Sequence, residues 1–70
     1  MTEKKFTLKA LRVNENLTQF EAAKKLGVTR KTIGNWESGR SYPNVEQIRS
    51  IEKLYGVSYD SIIFLPRING

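Results

Sequence analysis

Apolar residues recur three or four positions apart along this chain, and most such stretches open on one local pattern: an apolar residue, a capping residue, then a second apolar residue four positions after the cap. That pattern is the hydrophobic staple, which fixes the angle at which a chain enters a helix. It occurs at Phe6-Thr7 with Leu11, Leu17-Thr18 with Ala22, Val28-Thr29 with Ile33, and Val57-Ser58 with Ile62. Pro43-Asn44 opens a further helix with Gln47 in the capping-box position, and Thr18 has Glu21 three residues on as a full capping box. The Asn14-Glu15-Asn16 stretch, Gly27, Gly39 and Gly56 each close a periodic segment. The pattern predicts an all-α fold, a compact bundle of five short helices near 7–14, 18–26, 29–38, 44–55 and 58–64.

The apolar positions fit one shared core: Leu8 and Leu11; Phe20, Ala23 and Leu26; Ile33 and Trp36; Val45, Ile48, Ile51, Leu54 and Tyr55; Ile62 and Ile63. No segment alternates with period two, which argues against a β-fold. The chain reads as a single domain over residues 1–70, folded from about 6 to 65, with Met1 to Lys5 and Pro66 to Gly70 as loose ends.

Composition narrows the chemistry. A chain of 70 residues has room for one core, and it carries neither cysteine nor histidine. Disulfides, thiolate zinc sites and the commonest general base are therefore absent. Asp60 and the scattered glutamates form no pair at catalytic spacing, so neither an enzyme nor a metal or cofactor site is expected. The longest apolar run, Ile62 to Leu65, is far too short to span a membrane, so the expectation is a cytoplasmic protein with no membrane partner and no small-molecule ligand.

Net charge is +5, and it is one-sided: residues 1–40 hold nine cations against four anions, while residues 41–70 are balanced. Such a field suits a polyanion, although a basic surface also serves solubility.

The stretch Thr18 to Arg40, TQFEAAKKLGVTRKTIGNWESGR, places a glycine turn between two capped helices. That is the arrangement of a helix-turn-helix, whose second helix enters the DNA major groove. Ala23 allows the two helices to approach, Gly27 can take positive φ, and Ile33 and Trp36 plug the angle between them. Arg30 and Lys31 follow the Thr29 cap directly, where cations meet the positive end of the helix dipole at a cost of ~0.3–1 kcal/mol each. A docked phosphate or base-edge acceptor removes that conflict.

Lys31 and Asn35 share a helical face, and an asparagine amide can bond adenine bidentately. Arg30, Lys31 and Asn35, with Thr32 as a lesser contributor, are the candidate base readers. Gln19, Thr29, Ser38, Arg40 and Ser41 are the candidate phosphate contacts. Gly34 is costly inside a helix; either it lets DNA come close or it is a harmless exposed position. Lys24 and Lys25 read as solvated charges.

The segments LTQFEAAKKLGVTRKTIGNWESGR and YPNVEQIRSIEKLYGVSYDSII resemble the lambdoid phage repressor and Cro-like (XRE) helix-turn-helix family, the likeness running from about Leu8 to Phe64. The resemblance implies a transcriptional regulator, most simply a repressor, that binds a palindromic DNA operator as a homodimer. It carries a phosphate contact over to Gln19, base reading to Arg30 and Lys31, and a structural ion pair to Arg12 and Glu37. Ile62, Ile63, Phe64 and Leu65 offer apolar material for the dimer contact. With nothing after Gly70, no ligand-binding or self-cleaving domain is expected, and regulation would rest on concentration or a partner. The competing reading is an antitoxin-like or adaptor protein that uses the fold for protein interaction.

Overall fold

Local capping sets four α-helices. In the computed structural model, which describes residues 4–65, these are α1 (Leu8–Asn14), α2 (Gln19–Leu26), α3 (Arg30–Ser38) and α4 (Val45–Tyr55). Thr7, Thr18, Thr29 and Asn44 each stand in extended backbone, and their side chains accept from the amides of Ala10, Glu21, Thr32 and Gln47 at 2.8–3.1 Å. Glu21 and Gln47 return the bond to the cap backbone, completing two capping boxes. The loose ends expected at Met1–Lys5 and Pro66–Gly70 lie outside the described residues, except for Lys4 and Lys5, which are exposed.

All four helices end by one device. A residue in left-handed backbone follows the last turn, and the next amide reaches back to a carbonyl five residues earlier, as in Leu17 to Arg12 (3.1 Å) and Val28 to Ala23 (3.0 Å). After α2 the left-handed residue is Gly27, at φ 72°. A Cβ added there would meet nothing within 4 Å, so backbone conformation and not space calls for glycine. After α1 the same role falls to Asn16, at φ 60°.

The core gathers Leu8, Leu11, Ala22, Ala23, Ile33, Trp36, Ile51 and Ile62, with Phe6, Leu17, Leu26, Val28, Tyr55, Val57 and Phe64 packed against it. Five expected core residues lie outside it: Ile48 and Leu54, which are half-buried, and Phe20, Val45 and Ile63, which are exposed. Phe20 is 60% exposed and Val45 67%. On α2 the small adjacent pair Ala22 and Ala23 turns inward and brings the backbone close, which leaves the Phe20 ring on the outer flank beneath Lys24. Val45, in the first turn of α4, shares an open cleft with Ile48, Arg49, Glu52 and Tyr59 while Ile51 takes the core.

The fifth helix is absent from the described residues. In its place, Tyr59–Ser61 forms one 3-10 turn, and Ile62–Ile63 is a short strand, β2, paired in parallel with β1 (Phe6–Thr7) in the register Phe6 to Ile62 and Thr7 to Ile63. The fold is thus mostly helical with four α-helices and a small strand pair. At the expected helix start, Ser58 makes no capping bond, and the Glu52 carboxylate accepts from the Tyr59 amide at 2.7 Å instead. The β-branched Ile62 and Ile63 then fit an extended edge better than a helix turn. Ile62 is consequently buried and Phe64 half-buried, which leaves Ile63 and Leu65 as the exposed members of the apolar run. No helix among the described residues is long and apolar enough to cross a membrane.

Candidate nucleic-acid interface

The three residues Gly27, Val28 and Thr29 separate α2 from α3, which pack against each other through Ala22, Ala23, Ile33 and Trp36. This turn and packing present the start of α3 to solvent. Arg30 and Lys31 are exposed there, and no acidic residue lies in the first turn of the helix. Thr29 Oγ1 accepts from the Thr32 amide, and the two hydroxyls lie 2.8 Å apart in a hydrogen bond of their own. One turn beyond Lys31, Asn35 is half-buried. Neither the Lys31 ammonium nor the Asn35 amide is bonded to another described side chain, so both can turn to a ligand.

The far end of α3 is closed by its own groups. The Asn35 carbonyl accepts from the amides of Arg40 (2.9 Å) and Ser41 (3.3 Å) and from the Ser38 hydroxyl (3.3 Å). Ser38 and Arg40 are exposed, and Ser41 is half-buried. Trp36 is a core residue at 4% exposure and offers no stacking face. At Gly34 an added Cβ would lie 3.9 Å from Gln19 Nε2, an ordinary contact, so packing within the protein does not demand the glycine.

Behind this surface lies a buried ion pair. Arg12 Nε donates to Glu37 Oε2 at 2.6 Å and Nη2 to Oε1 at 3.2 Å, while Nη1 donates to the Leu17 carbonyl at 2.8 Å. The two side chains are 10% and 8% exposed. Hydrogen bonding to Glu37 raises the Arg12 pKa, outweighing the opposite effect of burial. Tyr55, half-buried near the pair, has its phenol pushed up to about 12 by burial first and by the Glu37 charge second.

Two contacts of Gln19 escape sequence reasoning. Its Nε2 donates to Glu37 Oε1 at 3.2 Å, and its Oε1 accepts from Arg30 Nη1 at 3.3 Å. The partners are 18 and 11 residues away and on another helix. No local spacing pattern reports such contacts; they follow from the crossing of α2 and α3.

Comparison with known proteins places this geometry among relatives. The family model described as helix-turn-helix matches residues 8–62. The chain is 43% identical over 56 residues to the HTH-type transcriptional activator BcrR of Enterococcus faecalis, covering 80% of this chain and 28% of that protein. It is 44% identical over 55 residues to an uncharacterized HTH-type transcriptional regulator, MJ0272, of Methanocaldococcus jannaschii, covering 79% and 83% of the two chains. It is 36% identical over 56 residues to the antitoxin PezA of Streptococcus pneumoniae, covering 80% and 35%. The match thus spans most of one relative and about a third or less of the other two.

Proposed function

Since this chain belongs to the helix-turn-helix family of DNA-binding transcription regulators, we propose that it is itself a sequence-specific regulator that places α3 in the major groove of an operator. The observation that carries this reading is the exposed Arg30 and Lys31 pair at the start of α3, directly after its cap and without a first-turn acid. Phosphate or a base edge at that end offsets the unfavourable meeting of cation and helix dipole. Arg30, Lys31, Asn35 and Thr32 read bases. The first-turn N–H groups at Gln19, together with Thr29, Ser38, Arg40 and Ser41, hold phosphates on either side.

The protein works in the cytoplasm as a homodimer on a palindromic site, with its two recognition helices ~34 Å apart, one DNA turn. Tyr42, Tyr59 and Leu65, exposed around Phe64, supply the apolar contact; Tyr42 and Tyr59 meet the Phe64 ring at centroid distances of 6.3 and 5.7 Å. Occupancy of a promoter by this dimer represses by excluding polymerase.

The likeness to PezA favours a second reading, in which the same domain serves an antitoxin. Titrating binding to a random-sequence duplex against salt tests whether DNA is the partner. A DNA binder loses affinity linearly in log–log form, with a slope of about −0.9 per phosphate neutralised. A flat response, or no binding at low salt, contradicts the proposal.

A further inference from the structure

The outer flank of α4 carries an open cleft that DNA recognition by α3 leaves unused. Val45, Ile48, Arg49, Glu52 and Tyr59 line about 350 Å³ of it, and a second hollow of about 180 Å³ beside Phe64 shares Ile48 and Tyr59 with the first. Val45 and Tyr59 are exposed there, and Ile48 is half-buried. Two opposite charges line the same cleft one turn apart, yet Arg49 and Glu52 do not meet. Neither forms an ion pair with a described residue, and Glu52 gives a single oxygen, Oε2, to the Tyr59 amide at 2.7 Å.

We propose that a second copy of this chain docks in the cleft, α4 against α4 in opposite directions, with Arg49 of each copy paired to Glu52 of the other. This inference rests on the homodimer reading and names how one copy recognises another; through Tyr59 the cleft continues the apolar contact around Phe64. α4 holds Glu46, Arg49, Glu52 and Lys53, two charges of each sign, so this face draws neither a polyanion nor a partner of one charge. What it complements is itself. In a two-fold contact residue i meets j wherever j meets i, so an axis passing between positions 49 and 52 brings opposite charges together twice. The same docking covers Val45, Ile48 and Tyr59, and Glu52 Oε1 is open to the incoming guanidinium. Exposed ion pairs add little affinity, so these two act mainly on partner choice: a chain with another charge order sets like charges face to face.

The test mixes two charge-reversed chains, Arg49→Glu and Glu52→Arg. Alone, each is expected to lose self-association about tenfold or more, because both symmetric pairs become like-charged. Mixed, they complement each other, one chain supplying two carboxylates and the other two cations. The variants differ in mass, so native mass spectrometry of an equal mixture, free and on a duplex with two half-sites, separates mixed from matched pairs. Random pairing gives equal numbers of the two; the mixed pairs should exceed the matched by about tenfold. Carrying both reversals in one chain should restore self-association to near the native level. Glu52→Gln keeps an acceptor for the Tyr59 amide and removes only charge, so a severalfold weaker dimer from it separates the ion pair from a loosened turn. Circular dichroism verifies that each variant folds, and binding to a single half-site should persist in all of them.

A dimer indifferent to both reversals, equal numbers of mixed and matched pairs, or a folded double-reversal chain that fails to self-associate would each overturn the pairing and leave the homodimer reading standing. A native chain that is monomeric in solution and fills two half-sites independently removes the homodimer reading and this inference with it.

Discussion

Glu37→Ala is expected to destabilise the domain by about 3–5 kcal/mol, the range for removing one partner of a buried ion pair. That loss is a large part of the stability available to a chain of this size. The argument rests on what stays behind. Arg12 keeps its charge, its Nη1 remains bound to the Leu17 carbonyl, and Nε and Nη2 lose both carboxylate oxygens in a site where the two side chains are only 10% and 8% exposed. The Gln19 amide loses its acceptor at the same time. Replacing both partners by apolar residues of similar size, Arg12→Met with Glu37→Leu, should recover most of the loss because no uncompensated charge remains. Urea unfolding followed by circular dichroism measures both; a loss below about 1 kcal/mol for Glu37→Ala would mean that the pair behaves as a surface contact.

The second large effect is on recognition. Lys31→Ala and Asn35→Ala should each reduce discrimination at particular base pairs by about 1–3 kcal/mol. The two side chains lie one turn apart on the solvent side of α3, and their polar ends are not engaged by other described side chains. Nothing inside the protein competes for them, so truncation changes binding and leaves folding nearly untouched. Competition binding with single base-pair substitutions across the operator reads the outcome directly. Loss of the same size on every duplex would reassign Lys31 to phosphate.

How much of this was legible in the sequence follows from the range of each interaction. Helix starts at Thr7, Thr18, Thr29 and Asn44 and stops near Asn16, Gly27, Gly39 and Gly56 depend on contacts within five residues, so residue spacing reports them. The same local pattern misleads at Val57-Ser58. A staple and a cap specify how a helix would begin, but not whether a neighbouring strand such as Phe6–Thr7 offers the following isoleucines a better partner. Helical phase likewise placed Phe20 and Val45 with the apolar set, yet phase alone does not say how wide the buried stripe is. Two adjacent alanines on α2 make it narrow.

At the candidate interface, Arg30 and Lys31 are proposed from their places after one cap and Asn35 from the helical face it shares with Lys31. Arg12 and Glu37, expected as partners through the family resemblance, meet at 2.6 Å. The link from Glu37 through Gln19 to Arg30 could not be read in the same way, because it exists only once α1, α2 and α3 are packed.

Selection of bound duplexes from a random pool tests the central claim most directly, since it asks whether α3 reads sequence and whether two copies do so together. The expected product is a palindrome with half-site centres about 10–10.5 base pairs apart, and its preference should relax at defined positions for Arg30→Ala and Lys31→Ala. A pool that yields no enriched sequence, or an enriched sequence unchanged by both substitutions, would contradict it.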